Sequence, residues 1–368
     1  MVKLMLQVTL IPGDGIGPEI TEAMLRCVEA TGIKIRWDKL CAGAEALEKY
    51  GTPLPQNIID SFKKTRIILK GPITTSFGTG FRSVTVALRQ MFNLYANVRP
   101  AKTFPGVESR YSNIDLVVVR ENTEGAYSGI EFEKNSPELK ELIQLLKRTH
   151  KIELEENTGA SLKTISAKAS NRIVKFAFEY ASQNDRRKVT CVHKSNILKF
   201  SDGLFLEEAR KVARSYPNIE YDEKVVDNMA MQLVQKPEDY DVLVTPNLYG
   251  DILSDLAAGL VGGLGLLSGA NIGSGYAMFE PVHGSAPKYA GMNKVNPTAM
   301  INSAIMMLRH IKRLREADIL EKATMSVIRE GIKVTYDLYK KGSGSPAGTR
   351  EMADEIIRQI EIIKRKGD

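Results

Sequence analysis

LMLQVTLIPGDGIGPEI, residues 4–20, is the stretch on which the fold is decided. An apolar strand-like run ends in a glycine-rich turn, and Pro18 stands in the first turn of a helix spanning 17 to 31. Strand, glycine turn and helix follow in the order of a dinucleotide-binding unit, and Gly13 and Gly15 match its first two glycines. The third should fall at position 18, which is Pro18. The motif therefore reads as a tight strand-to-helix turn, and a Rossmann fold is excluded.

Outward from that turn, strands and helices alternate. RIILKG (66 to 71), IDLVVVRE (114 to 121), KVTCVH, IEYDEKVVD and YDVLVTPN read as strands. VTVALRQMF, residues 168 to 183 and DGLFLEEARKVARSY read as helices. Beyond Asp251 the chain turns helical and glycine-rich, and helices dominate from Pro297. This is α/β architecture with covered sheets. The stretch 131 to 163, charged and least patterned, reads as an inserted arm. With 368 residues the chain has room for two domains.

Composition narrows the function. At 43% hydrophobic and 26% charged the chain is neither disordered nor collagen-like. No run approaches the roughly 18 apolar residues of a membrane span. The first apolar run has no small-residue cleavage site, so it reads as a buried strand rather than a signal peptide. Cys27, Cys41 and Cys191 are too scattered for a disulfide frame or a zinc knuckle. A soluble, cytoplasmic protein is expected, with no membrane partner. The net charge of +7 is spread among interleaved acids, with no basic-aromatic platform for nucleic acid. An anionic small molecule is the better partner for the excess charge.

Two groups of residues could carry chemistry. PNLYGDILSD places Asp251 and Asp255 four apart on one face at a helix start, and Asp227 ends the strand EKVVD. Three carboxylates without Cys or His suit a hard cation such as Mg2+ or Mn2+. Acids also favour helix N-termini for dipole reasons alone, so both readings stand. Arg89, Arg99 and Arg120 sit in or beside apolar stretches, where an unpaired guanidinium is costly. They are either three buried salt bridges or a clamp for a polycarboxylate. Ser83, Tyr127 and Lys194, in the same segments, are ordinary residues taken singly.

Together these segments resemble a known family. IPGDGIGPEI, KGPITTSFGTGFRSVTVALRQ, LYANVRPAK, VVVRENTEGAYSGIE, VTCVHKSNILKFSDGLF, VVDNMAMQLV, VTPNLYGDILSDLAAGLVGGLGL, NIGSGYAMFEPVHGSAPKYAG and KVNPTA are similar to the metal-dependent decarboxylating β-hydroxyacid dehydrogenases. That family comprises the isocitrate, isopropylmalate and homoisocitrate enzymes. The arm and the last thirty or so residues match least. The resemblance implies an α/β, isocitrate/isopropylmalate dehydrogenase-like two-domain fold. Residues 1–97 and 257–368 would form a large cofactor-binding domain, and 98–256 a small domain with a dimerisation arm at about 131–163. The implied active site lies in the cleft and is completed by a second subunit of a homodimer. Arg89, Arg99 and Arg120 match carboxylate-clamping arginines, and Tyr127 and Lys194 the catalytic pair, with Lys194 reaching in from the partner. Asp251 and Asp255 match metal ligands. Asp227, which also serves the base system, matches the ligand given by the partner.

The resemblance also bears on substrate and cofactor. TTSFGTGFRSVTVALRQ is closest to the isocitrate pattern, with Ser83 placed for the substrate's γ-carboxylate. Thr85 stands where many isocitrate enzymes have Asn, and Ser76 replaces a usual Pro, which leaves homoisocitrate open; isopropylmalate, whose enzymes put apolar residues there, is the other alternative substrate. Thr75, His283, Gly284, Ser285, Ala286 and Asn296 match cofactor contacts. NAD-dependent members carry Asp-Ile where this chain has Lys288-Tyr289. A carboxylate there would repel a ribose 2′-phosphate, whereas a lysine and a hydroxyl attract it. Tyr336, Lys340 and, from the partner, Lys236 match further basic or aromatic positions of NADP enzymes. NADP is the expected cofactor and NAD the alternative.

Overall fold

The structure is a computed structural model that describes residues 6–74, 83–155, 157–339 and 345–367. The opening apolar run forms β1 (Leu6–Ile11), and the glycine turn delivers it into α1 (Gly17–Ala30), with Pro18 in the first turn. The turn is as tight as its residues require. A Cβ on Gly13 would stand 2.1 Å from the Pro72 carbonyl oxygen, and φ there is +80°. β2 (Ile35–Lys39), α2 (Ala44–Tyr50), α3 (Gln56–Thr65) and β3 (Ile67–Lys70) follow. Next come α4 (Val84–Met91), β4 (Ala96–Lys102) and β5 (Asp115–Glu121).

The arm is more ordered than its sequence suggests. It carries β6 (Glu131–Phe132), α5 (Pro137–His150) and β7 (Ala160–Ser161), the two strands forming a small antiparallel pair. α5 starts on a local signal, the Ser136 hydroxyl accepting a bond from the Leu139 N–H ahead of Pro137. The chain then runs through α6 (Ala167–Gln183), β8 (Lys188–His193), α7 (Ser201–Ala213) and β9 (Glu220–Val225). α8 (Val226–Gln235) begins where the sequence pattern continues the strand, so Asp227 lies in a helical first turn rather than at a strand end. After β10 (Val242–Thr245), α9 (Asn247–Leu260) starts before Asp251, which therefore occupies its second turn. The glycine-rich stretch beyond it stays helical to Leu260 and forms one short turn at Leu264–Leu266, and β11 (Ser268–Ile272) and β12 (Ala277–Pro281) follow. Helices close the chain as expected: α10 (Thr298–His310), α11 (Leu314–Glu330) and α12 (Thr349–Gly367).

Ten strands make one sheet, in the order β2-β1-β3-β12-β11-β4-β5-β10-β8-β9. The outer blocks are parallel, but β12/β11, β11/β4 and β4/β5 pair antiparallel. Helices cover the sheet over an apolar core that includes Val8, Leu69, Val119, Val244 and Phe279. The site forms at the antiparallel junction. Register places Asn97 opposite Asn271 on one side and Arg120 on the other, and Gly269 opposite Glu280. Side chains two apart share a face, so Asn97, Arg99, Arg120, Asn271 and Glu280 form one polar row on an otherwise apolar sheet. Among the described residues no helix is long and apolar enough to cross a membrane.

Candidate active site

The polar row opens into a cavity of about 220 Å³ lined by Lys70, Thr85, Arg89, Arg99, Glu280 and His283, among others. Arg89 reaches it from α4, one turn after Thr85. Its Nη2 bonds the Glu280 carboxylate at 3.0 Å, while its buried Nε has no partner among the described residues. Glu280 also pairs with Lys70 at 2.7 Å and accepts from Asn271 Nδ2 at 2.8 Å. Burial raises the pKa of this carboxyl, but Lys70 and Arg89 outweigh it and hold the group well below the usual carboxylate range. Asn271 Oδ1 in turn accepts from Asn97 and Asn122.

Beside the cavity, Arg99 donates to Ser254 Oγ at 2.7 Å and to Asp255 at 3.2 Å, and lies 3.5 Å from Asp251. Arg120, 1% exposed, donates to Asn247 Oδ1 through Nε and Nη2 and to Asp251 through Nη1. Burial, aided by the neighbouring Arg89 and Arg99 charges, lowers its pKa to about 10. Tyr127, in the one-turn segment Gly125–Ser128, lies 4.7 Å from that guanidinium and donates its hydroxyl to Asp251. Burial and the Asp251 carboxylate both raise the tyrosine's pKa. Asp251 stays ionised because Arg120, the Tyr127 bond and Arg99 overcome its burial, whereas burial shifts Asp255 upward. Gly250 permits this contact: a Cβ there would lie 2.3 Å from Thr245 Oγ1 and 2.6 Å from Arg120 Cβ.

Lys194 and Asp227 form a separate pair. The lysine Nζ is 2.5 Å from Asp227 Oδ1, and that bond lowers the carboxyl's pKa. Among the described residues of one chain, no three His, Cys, Asp or Glu gather as a metal site. Asp251 and Asp255 therefore offer two carboxylates, one turn apart and open to solvent, a partial ligand set for a hard cation that needs more oxygens.

The loop after β12 has its own cluster. Ser285 Oγ is 2.7 Å from Thr74 Oγ1, and the Ser285 carbonyl accepts from Ile16 N, so the GDGIG turn braces this loop. Asp14 braces the other side, accepting from the N–H groups of Thr74 and Ala44. Gly284 is exposed and receives the His283 ring against its carbonyl, and Ala286 takes φ +37°. Asn296 bonds Asp337 at 2.9 Å. The Tyr289 and Tyr336 rings lie 6.3 Å apart, with the Lys288 ammonium 4.9 Å from the first and Lys294 near both.

A family model described as isocitrate/isopropylmalate dehydrogenase matches residues 7–356. The chain belongs to the isocitrate/isopropylmalate dehydrogenase family. It is 48% identical over 96% of its length to a mitochondrial regulatory subunit of NAD isocitrate dehydrogenase of Dictyostelium discoideum, covering 92% of that protein. It is 44% identical to isocitrate dehydrogenase [NADP] of Thermus thermophilus, over 98% of this chain and 68% of the relative. The crystal structure of isocitrate dehydrogenase from Methylococcus capsulatus superposes with a TM-score of 0.88 at 50% identity, covering 97% of this chain and 99% of that one.

Against this family background, the structure brings Thr85, Arg89, Arg99, Arg120, Tyr127, Asp251 and Asp255 to one site. Ser83 is at the N-cap position of α4 yet makes no side-chain bond to the helix, so it is not a working cap. Lys288, Tyr289 and Tyr336 gather, and His283, Gly284, Ser285 and Ala286 share the braced loop. Lys236 follows α8 as its C-cap residue, and no described contact joins it to that loop. Thr75, Ser76 and Lys340 lie outside the described residues. Sequence reasoning missed Lys70, Asn97, Asn271, Glu280 and Lys294. The signal was available for two of them: Lys70 in RIILKG and Glu280 in AMFEP are charges inside apolar strands, like the three arginines.

Proposed function

We propose that this protein catalyses oxidative decarboxylation of isocitrate to 2-oxoglutarate and CO2 with reduction of NADP. The observation that carries the reading is a polar cavity lined by Arg89 and Arg99, with Arg120, Asp251 and Tyr127 joined to Arg99 beside it, in a chain of this family. The arginines bind and orient the carboxylates, and the Arg89 Nε, without a partner among the described residues, is a donor suited to such an acceptor. Ser83 and Thr85 hydrogen-bond the γ-carboxylate. Lys194 with Asp227 takes the C2 hydroxyl proton, and Tyr127 returns a proton to C3 once CO2 has left. The cofactor, when bound, would supply a hydride acceptor for C2, and a Mg2+ or Mn2+ ion would supply positive charge for the developing oxygen charge. Asp251 and Asp255, with Asp227 of the other subunit, would hold the ion.

The cluster of Lys288, Tyr289, Lys294 and Tyr336 supports a 2′-phosphate and hence NADP. The NAD-dependent relatives keep NAD as the second reading, and homoisocitrate or isopropylmalate remain the alternative substrates. Likeness to a regulatory subunit favours a non-catalytic role, but Tyr127, Lys194, Asp227, Asp251 and Asp255 are all in place. We read the assembly as a homodimer with shared sites and a dimerising arm at 131–163, in the cytoplasm. Residues 1–97 with 257–368 form the cofactor domain and 98–256 the small one. A turnover matrix of isocitrate, homoisocitrate and isopropylmalate against NADP and NAD, with Mg2+ and Mn2+ on the chain purified alone, tests the reading. Absence of isocitrate turnover refutes it. Mixed dimers of Lys194→Ala and Tyr127→Phe test the sharing, since each dimer should regain one intact site.

A further inference from the structure

Lys194 begins an irregular turn whose position depends on one buried acid. Asp202 is 0% exposed, and it lies in the first turn of α7, where an acid commonly serves the helix dipole. Its oxygens go elsewhere. Oδ2 accepts the Lys194 backbone N–H at 2.7 Å, and Oδ1 takes the ammonium of Lys163. That same ammonium donates to the Tyr249 hydroxyl at 3.0 Å and stands 4.4 Å from its ring. Tyr249 is two residues before Asp251 on α9. One residue after Lys163, the Thr164 carbonyl accepts from Gly125 N, at the start of the turn that carries Tyr127. The Lys163 ammonium thus joins the segments that present Lys194 and Asp251, and the backbone of the next residue joins the turn that presents Tyr127.

We propose that Lys163 and Asp202 are positioning residues, an ion pair on a fully buried carboxylate that holds the Lys194 turn in register with α9 and the Tyr127 turn. The proposal rests on Lys194 being the base read above. A charged acceptor binds an N–H more tightly than a neutral one, and the Lys163 ammonium sits against the buried Asp202 carboxylate as its counter-charge. Because Lys194 is read as serving the second subunit, the pair also ties the frame of one site to the base of the other.

The test compares the parent with the neutralised pair Lys163→Met/Asp202→Asn and with Lys163→Arg. kcat and KM are measured with isocitrate, NADP and Mg2+, alongside thermal melting and hydrogen exchange of the Lys194 amide. The neutralised pair should lose about tenfold or more in kcat, as small misplacement of a catalytic group does, with KM for isocitrate kept within about twofold. Its Lys194 amide should exchange faster, and Lys163→Arg should recover most of both properties. Parental kcat and exchange in the neutralised pair would overturn the proposal, as would a loss shared equally by kcat, KM and melting. If that variant does not fold, Tyr249→Phe decides: lower kcat at constant KM supports the tie, and parental kcat refutes it. A parent without isocitrate turnover would refute the functional reading instead, while amide exchange would still report on the pair.

Discussion

Glu280→Gln should destabilise the protein by about 3–5 kcal/mol, because it removes the one negative charge from a buried cluster and leaves two positive charges unpaired. Glu280 is 7% exposed, and it is bonded to Lys70 at 2.7 Å and Arg89 at 3.0 Å, themselves 2% and 7% exposed. Glutamine keeps the shape and a bond to Asn271, so packing changes little and the lost term is the charge. Unfolding entropy of about 2.1 cal/mol/K per residue, for a chain this long, is roughly 0.8 kcal/mol/K, so the melting temperature should fall by about 4–6 °C.

The pH dependence has a definite sign. The folded-state pKa of Glu280 is depressed below the ordinary 4.5, so its stabilisation is fully present above that value and is lost as pH falls through the folded one. The gap between parent and variant should be flat from about pH 5 to 8 and close only in stronger acid. Calorimetric melts at one protein concentration across that range measure it. A variant that melts with the parent at pH 7, or a gap that widens in acid, would refute the buried-cluster argument. KM for isocitrate should also rise, since Arg89 loses the carboxylate that aims it.

Asp251→Asn should cut turnover by at least about a hundredfold while largely preserving the fold, and near-parental activity in chelator-treated buffer would remove Asp251 from the metal set. Ser83→Leu should reduce kcat/KM for isocitrate at least about tenfold, by setting an apolar group against the γ-carboxylate, and unchanged isocitrate kinetics would exclude Ser83 from the substrate contact. Lys288→Asp with Tyr289→Ile should shift the NADP/NAD ratio of kcat/KM by more than about a hundredfold toward NAD, and an NAD-preferring parent little changed by the variant would show that the loop was misread.

What the sequence determined by itself was local or carried by a motif. Pro18 at the third-glycine position excluded a Rossmann unit, and the turn it implied is the one found between β1 and α1. Arg89, Arg99 and Arg120 were legible as groups that must be paired or bound, because a guanidinium in an apolar run needs a partner wherever the chain goes. The partners were not legible. Arg89 meets Glu280 from 191 positions away and Arg120 meets Asn247 from 127, distances over which only strand order decides contact. β11 was invisible because SGANI has neither alternation nor β-branched density, yet its antiparallel pairing turns Asn271 toward Glu280. Asp227 was mislaid for a related reason: an apolar VV step fits strand and helix alike, and packing of α8 on α9 settled it as helix. Residue chemistry states which groups must be paired or bound. Tertiary structure alone selects which of them meet, because register across the sheet, rather than spacing along the chain, sets their separation.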